Sequence, residues 1–269
     1  TNPTKSNVYM TYAFDGEEVL CRSRYFSPMR NKFLGLRGPM NVHKASNSIA
    51  VFRQERKNYL MVYTRSANVT DKIVERVKQV IAFAVSYVWK TDKAKKIVLL
   101  YEKNSSKYEE SASVLYENLI DQGYDNAYFV VDKNYEFIDR IPEKYRKNIV
   151  HKYTFKHYLY FFTSRTFIGT EAIAHAFDLK TCNPLPLYKM ASKNINYVFL
   201  QHGVMYMVSL DSESRKMFSR KKLNGKYRVV VSSKAEREHF TTLGRHLHED
   251  IYVAGLPKFD RNVLNEEAD

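Results

Sequence analysis

The sequence predicts an α/β protein in which a parallel sheet carries helices on both faces, preceded by a small β-rich unit. From about residue 96 onward, short apolar runs alternate with segments of helical periodicity, a pattern typical of strands joined by helical crossovers. Before residue 69, β-like runs follow one another with turn signals and no helix between them. We therefore expect two parts, an accessory unit at residues 1–68 and a main domain at residues 69–269.

The accessory unit begins with a hairpin pattern. Two β-like runs, Val8–Tyr12 and Val19–Cys21, lie on either side of an Asp15-Gly16 turn signal. A second pair of strands is predicted at residues 49–52 and 59–63, because apolar and aromatic residues there flank a charged turn.

A helix is predicted from Asp71 to about Trp89. Its apolar face consists of Ile73, Val77, Val80, Ile81, Ala84, Val85 and Val88, and the opposite stripe of Lys72, Arg76, Gln79, Phe83, Tyr87 and Lys90. Either the apolar face packs on the core, as in an ordinary helix, or the basic and aromatic stripe also contacts an anionic membrane surface.

The main domain shows seven strand patterns with helices between them. The strands are predicted at residues 96–101, 127–132, 149–153, 166–171, 197–200, 228–233 and 251–254. Ser106 followed by Glu109 has the spacing of a capping box and predicts the start of the first intervening helix, which Gly123 ends. Further helices are predicted at residues 155–163 and 234–243.

Composition limits the classes of function. A net charge of +14 favours anionic partners: nucleic acid, phosphate-rich polymers or an acidic membrane face. The two cysteines, Cys21 and Cys182, form no disulfide framework or thiolate metal site, which fits a reducing cytosol. Neither a dinucleotide-binding glycine fingerprint nor a Walker-type loop is present, so we expect no cofactor and no metal.

A polar turn, Gln201-His202-Gly203, directly follows the apolar run at residues 197–200. Ligands of parallel α/β proteins bind beyond the carboxyl ends of the strands. Histidine titrates near neutrality, so His202 is either a general base or a residue that merely caps a strand. Parallel neighbours would bring Glu171 and the Ser232-Ser233 pair to the same edge.

Three stretches together resemble the CDP-glycerol glycerophosphotransferase family, which includes the teichoic acid polymerases. They are residues 153–167, the Gln201-Gly203 turn, and residues 230–240 leading to Gly255-Leu-Pro-Lys-Phe-Asp260. The resemblance covers residues 69–269. It departs from the family at Val204-Met205, where members often carry Thr-Pro after His-Gly, and this leaves the acceptor and the family branch open.

The resemblance implies a GT-B arrangement of two Rossmann-like domains with the active site in the cleft between them. The family's catalytic histidine falls on His202. This chain corresponds to the first, acceptor-side domain and stops where the donor-binding domain should begin. We therefore expect a piece of a longer protein that is inactive by itself.

The implied reaction is attack by an acceptor hydroxyl on the β-phosphate of a CDP-alcohol, with release of CMP. We expect a CDP-glycerol-type donor, an anionic lipid-linked polymer as acceptor, an anionic membrane surface and no nucleic acid. The enzyme would be cytoplasmic and peripheral on the inner face of the membrane. The substrate-binding residues we predict are Gln201, Gly203, Arg165, Glu171, Lys216, Arg220, Ser232, Ser233, Lys258 and Asp260.

Two alternatives stay open. A GT-B glycosyltransferase that uses a nucleotide sugar would share the first domain and differ in the donor pocket. A basic protein that binds nucleic acid without catalysis would share the positive charge, and would show strongly salt-dependent binding to any oligonucleotide.

Overall fold

The computed structural model describes residues 5–8, 11–14, 17–20, 40–45, 48–54, 60–89, 96–181, 183–201, 203 and 226–261, with side chains from residue 65 onward. It contains two compact units. One comprises residues 1–76 and 180–191, and the other residues 77–179 and 192–269. The domain boundary between residues 68 and 69 stays a prediction.

The first unit is mainly antiparallel, as its turn signals predict. Its four-stranded sheet has the order β1-β6-β5-β4, and β2 and β3 form a separate pair. The bounds are β1 Lys5–Val8, β2 Thr11–Phe14, β3 Glu17–Leu20, β4 Met40–Ala45, β5 Ser48–Gln54 and β6 Leu60–Ser66. Phe14 pairs with Glu17, so β2 and β3 flank the predicted Asp-Gly turn, which itself lies outside the described residues.

The second unit is built on a seven-stranded, fully parallel sheet. Its strands are β7 Val98–Tyr101, β8 Ala127–Val131, β9 Ile149–His151, β10 Thr166–Gly169, β11 Asn196–Phe199, β12 Lys226–Val231 and β13 Ile251–Val253. The spatial order is β13-β12-β11-β10-β7-β8-β9. This is a doubly wound order that reverses direction between β7 and β10. The predicted parallel α/β sheet is confirmed.

Helices pack on both faces of this sheet. Within the described ranges, the α-helices are α1 Ile73–Val88, α2 Ser111–Asp121, α3 Glu143–Arg146, α4 Phe155–Thr163, α5 Pro184–Met190 and α6 Lys234–Thr242. On one face, Ala112 and Tyr116 of α2 join a buried cluster with Leu100 and Phe129. On the other, Phe161 of α4 packs edge-on against Phe167, at 5.5 Å between ring centroids. Adjacent strand residues point to opposite faces, so both faces are covered.

Helix α1 forms where predicted, but its orientation is the reverse of the core-facing prediction. The apolar stripe is exposed, with Ile73 at 77%, Val80 at 54% and Val88 at 85% of full accessibility. The opposite stripe is the one that packs: Gln79 is buried, and the Phe83 ring contacts Phe162 at 5.3 Å. Of the aromatic residues on that stripe, Phe83 is therefore packed, whereas Tyr87 is 54% exposed. None of the described helices is long and apolar enough to cross a bilayer.

The start of α2 also differs from its prediction. Ser106 does not cap the helix, because its hydroxyl donates to the carbonyl of Lys103 and the helix begins only at Ser111. The buried carboxylate of Glu102 takes the capping role. It accepts the backbone N–H groups of Glu109, Glu110 and Ser113 at 2.8 to 3.0 Å. Burial raises the pKa of Glu102, and these three hydrogen bonds oppose the rise.

A neutral histidine is built into the core beneath α4. The His157 side chain is fully buried; its Nδ1 accepts the Tyr153 N–H at 3.2 Å and its Nε2 lies 2.8 Å from the Ala176 carbonyl oxygen. These partners require one proton on the ring, on Nε2. Burial lowers the pKa of His157 from 6.5 to about 4. The structure therefore gives His157 a packing role in the core.

We expect His157 to make the protein acid-labile in a defined window. The unfolded chain binds a proton at this ring below pH 6.5 and the folded chain only near pH 4, so stability falls as the pH drops through that range. The shift corresponds to roughly 3 kcal/mol at most. In urea unfolding measured between pH 7 and pH 4, the free energy of unfolding should therefore fall less steeply with decreasing pH in His157→Gln than in the wild type. The exposed His151→Gln variant should retain the wild-type slope, and an unchanged slope in His157→Gln would contradict this assignment.

Candidate active site at the carboxyl edge of the sheet

The sheet reverses its winding between β7 and β10, and this leaves a crevice beyond their carboxyl ends. Crossovers leave a topological switch point in opposite directions, and two short 3-10 helices, Lys103–Ser105 after β7 and Ile173–Ala176 after β10, meet there through the Ser105 hydroxyl, which donates to the His175 carbonyl at 2.8 Å. The segments at this edge are residues 102–105 after β7 and residues 170–171 after β10. The turn after β11 is next to them, because β11 pairs with β10.

The predicted turn after β11 is held rigidly at its first residue. Gln201 is fully buried, and its side-chain Nε2 donates to the Val230 carbonyl on β12 at 2.9 Å. Its backbone has φ 59°, a left-handed conformation that is uncommon for a residue other than glycine. His202 lies outside the described residues, and Gly203 beyond it has open space around its Cα.

Two buried tyrosines fix the position of Glu171. The hydroxyl of Tyr101 on β7 donates to the Glu171 backbone carbonyl at 3.0 Å, and the hydroxyl of Tyr197 on β11 donates to the same oxygen. Burial is the main cause that raises the pKa of both phenols far above 10, so both stay protonated donors. Glu171 is thus tied to both neighbouring strands.

The Glu171 side chain faces His175, a histidine to which the sequence analysis assigned no role. His175 Nε2 lies 3.8 Å from the Glu171 carboxylate, and His175 Nδ1 accepts the Asn104 N–H at 3.0 Å. The neutral ring therefore carries its proton on Nε2, toward the carboxylate. Burial lowers the pKa of His175, and the charge of Glu171 opposes this. Glu171 and His175 thus place a carboxylate and an imidazole beside each other at the switch point.

A buried cation lies beside this pair. Lys152, only 6% exposed, donates from Nζ to the Asn104 carbonyl at 2.6 Å. Burial lowers the pKa of Lys152, while the charges of Asp178 and Asp132 raise it. Asn104 thus receives a contact at each of its backbone groups, from Lys152 and from His175. Sequence reasoning missed this arrangement because its members are 48 to 71 residues apart.

Backbone strain is concentrated at the same edge. Four of the five described non-glycine residues with positive φ follow strands of this sheet: Asn104 and Ser105 after β7, Tyr153 after β9 and Gln201 after β11. Left-handed backbone costs an ordinary residue on the order of 1 kcal/mol and collects at functional sites. The strain therefore supports a site at the carboxyl edge independently of the side-chain chemistry.

Two further residues that we predicted to bind substrate, Ser232 and Ser233, take part in a helix cap. Ser233 Oγ accepts the Glu236 N–H at 3.2 Å, and the Ser232 hydroxyl and N–H both donate to the Glu236 carboxylate, at 2.8 and 2.7 Å. Both serines do lie at the carboxyl edge, after β12. Their contact with substrate stays a prediction.

The remaining predicted residues divide by location. Lys258 and Asp260 follow β13, and the Lys258 N–H reaches Ser111 Oγ at the start of α2, at 3.4 Å. Arg165 immediately precedes β10 and so lies at the amino edge of the sheet, away from the Gln201 turn. The structure therefore does not bring Arg165 together with the other residues. Lys216 and Arg220, like His202, lie outside the described residues.

The side chains available to bind a ligand at this edge are cations, a carboxylate and an imidazole. Across the described ranges, no group of three or more His, Cys, Asp or Glu side chains is placed to hold a metal ion.

The doubly wound parallel sheet defines a Rossmann-like α/β domain, with a candidate site at the switch point. A family model described as CDP-Glycerol:Poly(glycerophosphate) glycerophosphotransferase matches residues 83–269, more than half of the chain. The chain belongs to this family. Among curated proteins, no sequence matches it.

Solved structures of a wall teichoic acid polymerase, TagF, are similar to this chain. One is 14% identical, with a TM-score of 0.45, and the match covers 74% of this chain and 50% of that one. A histidine variant of TagF soaked with CDPG is 13% identical, with a TM-score of 0.46 and coverages of 74% and 52%. The chain thus spans about half the length of the solved structures that it matches.

Gly169 at the end of β10 should tolerate no side chain. A Cβ there would lie 2.6 Å from the ring of Tyr101, which is fully buried and cannot move away. We expect Gly169→Ala to lower the free energy of unfolding by about 1–3 kcal/mol in urea titrations. Gly203→Ala is the control: its Cβ meets nothing within 4 Å, and it should change stability by less than about 0.5 kcal/mol. Equal losses in the two variants would refute a specific clash with Tyr101.

Proposed function

We propose that this chain is the acceptor-side domain of an enzyme that transfers glycerol phosphate, or a related alditol phosphate, from a CDP-alcohol. The acceptor would be an anionic, membrane-linked polymer in teichoic acid or capsule-type synthesis. Membership of the glycerophosphotransferase family supports the reaction class. The single observation that carries the residue assignment is the buried Gln201 after β11, because β11 pairs with β10 in parallel and the turn therefore begins at the same edge of the sheet as Glu171.

The chemistry of the step is a phosphoryl transfer with one proton to remove. An acceptor hydroxyl attacks the β-phosphorus, a new P–O bond forms, and the bond to the bridging oxygen breaks with its electron pair leaving on CMP. His202 takes the hydroxyl proton as general base. Cationic side chains stabilise the charge on the transferring group, for which Lys216, Arg220 and Lys258 are the proposed residues.

The net positive charge and helix α1 support binding of the enzyme to a membrane surface. A net charge of +14 favours an anionic polymer and an anionic lipid surface. The exposed stripe of α1 adds apolar contact area, with Val77 at 51% and Ile81 at 49% accessibility beside the exposed Lys72 and Arg76. An apolar stripe bordered by cations is the pattern of a helix that lies in a lipid interface. We therefore propose a cytoplasmic enzyme, peripheral on the inner face of the membrane.

CMP release tests the transferase proposal. The full-length protein should release CMP from CDP-glycerol or CDP-ribitol when membranes supply the acceptor, and His202→Ala should lower kcat by at least 100-fold, since a general base contributes about that much. The exposed His151→Ala variant is the control and should retain wild-type turnover. Folded wild-type protein that turns over neither donor would refute the proposal, and turnover of nucleotide sugars instead would favour a glycosyltransferase.

Vesicle binding tests the role of α1. The double variant Val80→Ser/Ile81→Ser removes two exposed apolar side chains, so we expect at least tenfold weaker cosedimentation with vesicles of equal phosphatidylglycerol and phosphatidylcholine. Binding of the wild type to pure phosphatidylcholine should be far weaker. Leu247→Ser, at a side chain 57% exposed in another part of the sequence, is the matched control. Equal binding by the double variant and the control would exclude α1 as the contact.

A further inference from the structure

A second concave site lies among the loops that follow β7 and β8. Its volume is about 330 Å³, and its lining includes Tyr108, Glu117, Tyr135, Phe137, Arg140 and Arg261. These residues are distinct from those of the Glu171 crevice and from all the residues that the sequence pointed to as substrate contacts. Arg261 closes the cavity from the segment after β13, where its guanidinium binds Glu117 at 3.2 Å.

The cavity offers a cation that is free to bind an anion. The guanidinium of Arg140 lies 4.3 Å from the centroid of the Phe137 ring, and this contact holds it in place. Among the described residues, it forms no ion pair and donates no side-chain hydrogen bond. The adjacent carboxylate, Asp139, is directed to Arg146 instead, at 3.3 Å. A planar guanidinium with unused donors is suited to the oxygens of a phosphate.

The cavity also offers a buried hydroxyl. Tyr108 is only 6% exposed; its hydroxyl faces the Glu117 side chain, but within the described part of the chain it makes no hydrogen bond of normal geometry. Burial, reinforced by the negative charge of Glu117, raises the pKa of Tyr108, so the phenol keeps its proton. Buried polar groups are nearly always satisfied, and a group that is not indicates a ligand or an ordered water.

Size and ring geometry favour a small polyol over a nucleotide. About 330 Å³ is at the lower end of ligand pockets, which span roughly 300–1,000 Å³. The Tyr135 and Phe137 rings meet edge to face, at 80° and 5.8 Å, and so offer no pair of parallel faces to enclose a base. Carboxylates in the lining, Glu109 and Glu117, are acceptors for ligand hydroxyl groups.

We propose that this cavity binds a polyol phosphate, one glycerol phosphate unit of the anionic acceptor. Arg140 and Arg261 bind the phosphate oxygens, and Tyr108 and Glu117 contact the hydroxyls. The identity of the ligand as an acceptor unit rests on the proposed transferase function, whereas binding itself does not depend on turnover. The cavity holds the growing polymer at a distance from the reacting hydroxyl.

Calorimetric titration with sn-glycerol 3-phosphate and with a synthetic glycerol phosphate dimer tests the site directly. We expect Arg140→Gln to weaken binding of both about tenfold, and Tyr108→Phe to weaken it several-fold with no change in melting temperature. Arg146→Gln, one helix away and outside the cavity, is the control and should bind like the wild type. Inorganic phosphate should bind more weakly than either probe and should be insensitive to Tyr108→Phe.

Three results would overturn the inference: equal binding by Arg140→Gln and Arg146→Gln, inorganic phosphate binding as tightly as glycerol phosphate, or CMP competing for the same site. Because the titration requires no CDP-alcohol, these results are independent of the proposed reaction. Loss of CMP release with retained glycerol phosphate binding would refute the transferase function and leave the cavity as a polyol phosphate site. The reverse outcome would refute only the cavity.

Discussion

Two buried phenol hydroxyls donate to one carbonyl oxygen, that of Glu171, and the geometry of the crevice depends on this shared contact. Tyr101 comes from β7 and Tyr197 from β11, the two neighbours of β10. Strands at a switch point are joined through crossovers that run apart, so nothing in the chain connectivity keeps their ends together. The tyrosines supply that connection with side chains. A hydrogen bond of this kind contributes only about 1 kcal/mol net, but leaving its buried partners unsatisfied costs more.

Glu102 links the crevice to the second cavity. It ends β7 beside the strained Asn104-Ser105 pair, and its carboxylate holds the N–H groups at residues 109–113. The loop between those points carries Tyr108 into the cavity. The Glu102 side chain therefore connects the segment that follows β7, at the crevice, to the start of α2. The two sites share this part of the backbone as a common boundary.

Much of the fold could be predicted because apolar runs bounded by polar residues mark buried strands, and parallel pairing then places their carboxyl ends together. This reasoning located Glu171 and the Gln201 turn at one edge. It could not locate Lys152 or His175, whose roles arise from contacts with Asn104 across long separations in sequence. The cap formed by Ser233 and Glu236 was not predicted, although its Ser-x-x-Glu spacing is typical of a helix start and the helix itself was predicted. Arg165 was assigned to the site by charge alone, and the strand direction places it at the opposite edge.

Helix α1 shows a second limit: amphipathic periodicity identifies which face is apolar, but not whether the protein supplies a partner for it. The stripe from Ile73 to Val88 remains in contact with water. In a molecule with this stripe and a net charge of +14, apolar contact favours self-association and charge repulsion opposes it. At low ionic strength, like charges keep copies apart; added salt shortens the Debye length to about 3 Å at 1 M and leaves the apolar contact unopposed. The protein should thus be least soluble in concentrated salt, the reverse of the usual behaviour of basic proteins that aggregate through ion pairing, and purification schemes that rely on high salt would favour its self-association.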